Sequence, residues 1–386
     1  MTVPIVWQTR LWSDGSSAQL SRDLVLALDR AGYPVAIHNL DPVRVAGRRG
    51  IEAASRLRLD QLASARYPNA ESLVVRCAKP NPGEDLVEGM WAVTPQALGN
   101  IAYLTTAYGY LPAAASPATA NAVLTQVWGC SRFVVETLAE IGFDPAKLRR
   151  VPLGFCPDLF SPGTRPADIP TGKTFRFLHV SIPYVHYKGL DVLVRAYVEE
   201  FDSEDDTCLV LRTRPYQGME HRLRNIIDDE VRRVGHQPEI LLFTDYLPLP
   251  YLAGWYAASS CYVQTSRAAG FDMPPLQAMA CGKPVIASGW GGHREFCDED
   301  TSFLFGYTLG PPTDDAVAEG LGSVRTWAEP ALDELRYWMR WAAEHPVEAA
   351  AKGHAAAEKV RESHTWDHAA AAIVDAVGSG VKALRT

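Results

Sequence analysis

Apolar positions along this chain recur with two alternating periods. Short runs such as VPIVW (3–7), YPVAIHN (33–39), SLVVRC (72–77), IAYLTT (101–106) and VLTQVWG (123–129) have the length and residue types of buried strands. SSAQLSRDLVLALDRAG (16–32) instead places Leu20, Leu24, Ala27 and Leu28 on one helical face and stops at Gly32. Strands alternating with helices predict a mostly parallel sheet covered on both faces. The pattern breaks at PLGFCPDLFSPGTRPADIPTGK (152–173), which is rich in proline and has no period, as expected of an interdomain linker. It then restarts. FRFLHVS (175–181), TCLVLR (207–212), EILLF (239–243), CYVQTS (261–266) and KPVIAS (283–288) read as strands, GLDVLVRAYVEEF (189–201) as a helix, and the Ala-rich tail from Asp314 to Leu384 as almost entirely helical. The predicted fold class is therefore α/β, with two consecutive Rossmann-like units. Ligands of such sheets lie beyond the carboxyl ends of the strands, which makes the cleft between two such units the default site.

Length and composition narrow the function classes. A chain of 386 residues accommodates two domains, and 47% hydrophobic with 21% charged residues is an ordinary globular balance. A formal net charge of -8 argues against a nucleic-acid partner. Seven scattered cysteines with no C-x-x-C pair fit reduced thiols and a cytoplasmic location, not a disulfide framework or a zinc ribbon. The N-terminus does not read as a secretory signal, and no apolar run reaches the ~18 residues of a membrane span.

Several apparent motifs fail on inspection. Gly172-Lys173-Thr174 resembles the end of a phosphate loop, but Ala167 stands where the leading glycine belongs. No G-x-G-x-x-G follows the first strand, and no G-x-S-x-G elbow exists. His364 and His368 lie four apart, but Thr365 replaces the glutamate of a zinc helix, and no metal is expected.

The stretch TSRAAGFDMPPLQAMACGKPVIASGWGGHREFC (265–297) carries the most chemistry. It reads strand, glycine turn at Gly270, helix, glycine, strand, glycine-rich loop, helix. Asp272 is placed to cap the helix, with Pro274 or Pro275 in its first turn. The N–H groups and dipole of that turn, and a second helix start after Gly289, Gly291 and Gly292, suit a diphosphate. Ordinary βα turns also favour glycine, so the residues alone leave both readings open.

This stretch closely resembles the donor-binding motif of retaining glycosyltransferases of family 4, Glu-Gly-Phe-Gly-x-Pro-x-x-Glu-Ala-Met-Ala-x-Gly-x-Pro-Val-Ile-Ala. The matched positions are Gly270, Phe271, Pro274, Ala278, Met279, Ala280, Gly282, Pro284, Val285, Ile286 and Ala287, followed by Gly291, Gly292 and Glu295. YKGLDVLVRAY (187–197) is similar to the family's Lys-Gly-x-Asp element, with Lys188 as its lysine. Residues 127–162 resemble the last segment of the family's N-terminal domain at Ser131, Pro152, Leu153, Gly154, Phe160 and Pro162.

The resemblance implies the GT-B fold: two Rossmann-like parallel-sheet domains facing each other across a cleft. An acceptor domain over 1–165, completed by a helix at 366–386, would precede a nucleotide-sugar domain over 166–365. It implies metal-independent transfer of a hexosyl group, with retention, from a nucleotide-sugar to a small-molecule, glycan or lipid-linked acceptor. The nucleotide-sugar is a co-substrate, and no cofactor is implied. Lys188, Arg212 and Asp272 are the expected catalytic residues. Gly15, Ser181, Lys188, Ala269, Gly270, Phe271, Asp272, Met273 and Gln277 would meet the donor, and Asp14, Tyr103, Thr106 and Tyr108 the acceptor.

Departures from the pattern are specific. The family's paired glutamates fall on Ala269 and Gln277, and Asp272 replaces a glycine. Gln277 retains hydrogen-bonding capacity towards a ribose, whereas Ala269 retains none. The family arginine before Lys188 is missing, leaving His179, His186 or Arg212 to supply its charge. These departures motivate two rivals: a catalytically impaired relative acting as a binding or regulatory partner, and a GT-B enzyme with another reaction, such as sugar-nucleotide epimerisation. The aromatic run YLTTAYGYLP (103–112) is either a sugar-stacking surface or a packed loop. The arginine-rich segment 44–60 is a solvated face, a peripheral contact with the inner face of a membrane, or a site for a phosphorylated acceptor.

Overall fold

Five apolar runs of the first half and the short segment Leu148–Arg150 pair side by side in one parallel sheet: β1 (Ile5–Thr9), β2 (Val35–Asn39), β3 (Leu73–Cys77), β4 (Gly99–Leu104), β5 (Gln126–Gly129) and β6 (Leu148–Arg150), in the order β2-β1-β3-β4-β5-β6. Register is set by apolar partners, with Ile5 facing Val35 on one side and Leu73 on the other. The structure, a computed structural model, describes residues 2–13, 16–41, 50–77, 91–105, 116–216, 218–317 and 326–384. The sheet's core holds Trp7, Tyr103 and Trp128 as edge-on aromatic neighbours, all fully buried.

The second half builds another six-stranded parallel sheet: β7 (Phe175–Val180), β8 (Thr207–Arg212), β9 (Glu239–Phe243), β10 (Cys261–Gln264), β11 (Val285–Ser288) and β12 (Phe303–Phe305), in the order β12-β11-β10-β7-β8-β9. The helix Leu190–Glu200 buries Leu193, Ala196 and Tyr197 against this sheet and continues the aromatic stack of Phe177 and Phe201. Strand order reverses between β7 and β10, so the carboxyl ends of these two strands form the switch point of the sheet.

The chain divides into two compact units, Met1–Gly154 with His364–Thr386, and Phe155–Ser363. The first division falls at 154/155 rather than the expected 165/166, because the proline-rich segment is not a free linker. Phe160 packs edge-on against Tyr256, and the Ala167 N–H donates to the Gly254 carbonyl (2.8 Å), which ties the segment to the second unit. The terminal helix Trp366–Leu384 belongs to the first unit. Gln126 Nε2 donates to the Ala376 carbonyl within that helix (3.0 Å). A Cβ on Gly154 would sit 2.3 Å from the backbone of Thr365, so glycine is required where the returning chain crosses.

The tail is not wholly helical. An antiparallel hairpin of β13 (Tyr307–Gly310) and β14 (Trp327–Pro330) precedes the helices Leu332–Glu344 and Pro346–Ser363. Within the arginine-rich segment, 42–49 lie outside the described residues, and Arg58 forks onto Asp29 (2.6 and 2.7 Å), so that charge is already engaged. Among the described residues no helix is long and apolar enough to cross a membrane.

Candidate active site

At the switch point of the second sheet, two loops carry most of the expected residues. The loop after β7 ends at Lys188 and Gly189. Gly189 adopts φ 64° at the start of the helix Leu190–Glu200, and a Cβ there would stand 2.1 Å from the Thr265 carbonyl, so only glycine lets this loop lie against the end of β10. The Thr265 hydroxyl donates to the Lys188 carbonyl (3.0 Å) and fixes the lysine backbone.

The loop after β10 leads to the helix Met273–Ala280. Its left-handed residue is Asp272 (φ 69°), not Gly270 as the sequence suggested. Asp272 occupies the N-cap position but makes no capping hydrogen bond with its side chain. Its carboxylate instead accepts from Gln264 Nε2 (2.6 Å) and Ser266 Oγ (3.3 Å) and pairs with Lys188 Nζ (3.6 Å). Burial by itself would push this carboxyl up. The Lys188 ammonium and the Gln264 hydrogen bond outweigh it and hold it below the usual carboxylate range.

Two expectations about anion binding are corrected. Pro274 and Pro275 both lie in the first turn, so among its first three residues only Met273 offers an N–H, and the helix start is a weaker anion cradle than expected. The second helix start is a single 3₁₀ turn, Gly292–Glu295, too short for an appreciable dipole. Its role is packing. The Gly292 N–H donates to the Ala269 carbonyl (2.8 Å), and a Cβ on Gly292 would collide with Gly270 at 1.8 Å.

The remaining candidates divide. Ser181 Oγ lies 3.1 Å from Nε2 of buried His179, and His179 Nδ1 meets the Val263 carbonyl (2.8 Å). Phe271 is buried against Phe296. Gln277 is 4% exposed and accepts from the Tyr256 hydroxyl (3.0 Å), so its carbonyl is turned into the unit interior. Arg212 forks onto Asp245 (3.0 and 2.9 Å) and lies over the Trp255 ring, which leaves its charge already matched by a carboxylate. Tyr103 is a correction: it is wholly buried, with its hydroxyl donating to the Val151 carbonyl (2.8 Å), and contacts no solvent-borne acceptor. Asp14, Gly15, Thr106 and Tyr108 lie outside the described residues.

Sequence reasoning missed Arg267. This buried guanidinium donates to both oxygens of Asp191 (2.7 and 2.8 Å), both of Glu329 (2.6 and 2.7 Å) and the His186 carbonyl (2.7 Å). It thereby joins the Lys188 loop, the first turn of the helix Leu190–Glu200 and β14. No motif marked it, since its partners lie far away in sequence. His186, a candidate for the missing charge, pairs instead with Asp191 (3.3 Å).

Residues 174–324 match the profile of the family described as Glycosyl transferases group 1. Across nearly the whole chain the structure is similar to Anabaena HepE in complex with UDP and glucose (TM-score 0.65, 17% identity, 98% of this chain and 100% of that one). It is likewise similar to sucrose-phosphate synthase from Thermosynechococcus elongatus (TM-score 0.67, 18% identity, 98% and 99%). The fold is GT-B. Among curated proteins, the GT-B chain is 28% identical over 166 residues to a D-inositol 3-phosphate glycosyltransferase of Kribbella flavida, covering 41% of this chain and 38% of that protein. It is 29% identical over 113 residues to the lipopolysaccharide core biosynthesis mannosyltransferase LpsB of Rhizobium meliloti, covering 28% and 30%. The chain thus spans between 30% and 38% of the length of these two relatives.

A cavity of about 520 Å³ lies elsewhere in the second GT-B unit, against the N-terminal ends of β7, β8 and β11 at Phe175, Thr207 and Pro284. It contains none of the candidate residues and sits at the opposite ends of the strands from Lys188.

The site has a defined acid response. Burial pushes His179 down to about 4, so the folded chain keeps it neutral while the unfolded chain protonates it near 6.5. Between those values the unfolded state binds the extra proton, and stability falls as pH drops. The loss attributable to His179 is expected to reach roughly 3 kcal/mol by pH 4. Denaturant unfolding at pH 7 and pH 4.5 measures it. His179→Asn, which keeps a donor for the Val263 carbonyl, should flatten the dependence; an unchanged slope would remove His179 as its source.

Proposed function

We infer that this chain is a metal-independent retaining glycosyltransferase. It moves a hexosyl group from a nucleotide-sugar to a small-molecule, glycan or lipid-linked acceptor. The second GT-B unit would hold the donor and the first the acceptor. The observation that carries this reading is the ammonium of Lys188, held at the carboxyl ends of the central strands β7 and β10 inside the segment that matches group 1 glycosyl transferases. UDP and glucose in Anabaena HepE, a protein of the same fold, support a nucleotide-sugar as the donor class.

In the proposed reaction the bond between the anomeric carbon and the diphosphate oxygen breaks. The acceptor oxygen bonds to that carbon on the same face, and the acceptor's proton passes to the leaving phosphate oxygen. Negative charge grows on the diphosphate as the bond breaks, and a fixed ammonium stabilises that charge more than the ground state.

A second reading draws on the same pair. Asp272 neutralises Lys188, and Ala269 offers no polar contact, as expected of an impaired relative that binds without turnover. Incubation with UDP- and GDP-sugars separates the two. An active transferase releases free nucleotide, slowly even with water as acceptor. Binding by thermal shift without release from any donor and acceptor pair favours the impaired reading. No thermal shift with any nucleotide-sugar overturns both.

A further inference from the structure

The cavity of about 520 Å³ at the N-terminal ends of β7, β8 and β11 has exposed residues at its rim, Thr174, Asp206, Glu344, Pro346 and His354, so it is open to solvent. Lys283 lines it two residues before β11 and is half-buried. The backbone around this lysine is clamped. A Cβ on Gly353 of the helix Pro346–Ser363 would stand 2.5 Å from both the Gly282 carbonyl and the Pro284 nitrogen, so that helix lies directly on the backbone of 282–284.

Among the described residues no acceptor meets the Lys283 ammonium. Every other lysine with a described side chain is engaged: Lys147 with the Asn121 and Leu124 carbonyls, Lys173 with the Ser203 and Asp205 carbonyls, Lys188 with Asp272, Lys352 with the Glu299 carbonyl and Lys359 with Asp298. The acidic residues that line the cavity do not reach Lys283. Asp205 takes the Arg340 guanidinium (2.7 Å), and Asp206 takes the N–H and hydroxyl of Thr174. Burial therefore pushes the Lys283 amine below the ordinary lysine range, opposed only by Cys281. The Cys281 thiol is itself pushed up to about 11 by burial and is uncharged at neutral pH. More of this amine is neutral, with its lone pair available to attack, than of an ordinary surface lysine. Its charged form is half-buried without a counter-ion, so a neutral amide in its place removes a desolvation cost.

We propose that Lys283 is an acyl-acceptor site: inside this cavity its amine takes a short acyl group from an acyl phosphate or an acyl thioester. The Nζ lone pair attacks the acyl carbonyl carbon, and a C–N bond forms. The bond from that carbon to the phosphate oxygen or thioester sulfur breaks, and its electron pair leaves with the phosphate or thiolate. The nitrogen gives up one proton to water. The product is a neutral amide, and the chain loses one positive charge at the strand ends away from Lys188. This site stands independently of the glycosyltransferase reading.

The purified chain is incubated near neutral pH with acetyl phosphate, and separately with an acetyl thioester, and acetylation of each lysine is timed by peptide mass spectrometry. Lys283 is expected to react more than about threefold faster than Lys147, Lys173, Lys352 and Lys359 with at least one donor. In urea at a denaturing concentration that preference should vanish. A preference with one donor alone upholds the site and assigns that donor as the source of the acyl group. A ratio below this against any of the four lysines, with both donors, overturns the site. So does a preference that survives in urea, because its cause would then be the local sequence and not the cavity.

Discussion

Lys188→Ala is expected to lower transfer by about 10²–10³-fold, the usual effect of removing one fixed donor from a site of developing negative charge. The lysine backbone is held by the Thr265 hydroxyl and by the close approach at Gly189, so the ammonium is presented at a set position. Its removal has a second consequence. The Asp272 carboxylate, 6% exposed, would keep Gln264 and Ser266 as donors but lose its counter-charge, so its carboxyl should rise and stability fall. Lys188→Ala combined with Asp272→Asn separates the two effects. The double variant should unfold close to wild type yet transfer as slowly as Lys188→Ala. Asp272→Asn by itself should bind nucleoside diphosphate more tightly, because it frees the ammonium from its carboxylate. Steady-state rates and thermal melts read all three, and wild-type transfer by Lys188→Ala would remove the lysine from the reacting diphosphate.

Arg267→Met is expected to destabilise the second unit by about 3–5 kcal/mol, the range for breaking a buried ion pair from one side. Arg267 is 3% exposed, and burial opposes its charge. Two carboxylates and a backbone carbonyl overrule that opposition, and the guanidinium plane also lies over the Trp327 ring, 4.8 Å from its centroid. Its loss strands Asp191 and Glu329 together. In a unit of this size the melting temperature should drop by roughly 10 °C. Arg267→Lys should not restore it, since one ammonium cannot fork onto two carboxylates at once. Because Arg267 also holds the His186 carbonyl two residues before Lys188, the KM for donor should rise as well. A melt indistinguishable from wild type would show that Asp191 and Glu329 do not depend on this residue.

These two residues mark how much of the site the sequence made legible. Lys188 was found because the run YKGLDVLVRAY around it resembles the family's Lys-Gly-x-Asp element. Arg267 was not, because its partners stand 62, 76 and 81 residues away, and only the sheet brings them together. Tyr103 was misread for the opposite reason. An aromatic run near a strand end reads the same whether it lines a ligand or a core, and the Val151 carbonyl decided for the core.

The chain by itself determined the element types and most of their places. Apolar runs of strand length, helices with one buried face and glycine at tight turns are local properties, and they fixed two parallel-sheet units and the loops that carry the candidate chemistry. Only the tertiary structure decided the strand order, the hairpin β13–β14, the attachment of the proline-rich segment to the second unit, and the pairing of Lys188 with Asp272. Each of these depends on distances between residues remote in sequence. A side chain's charge, its burial and the direction of its free lone pair are set by neighbours that no local pattern names.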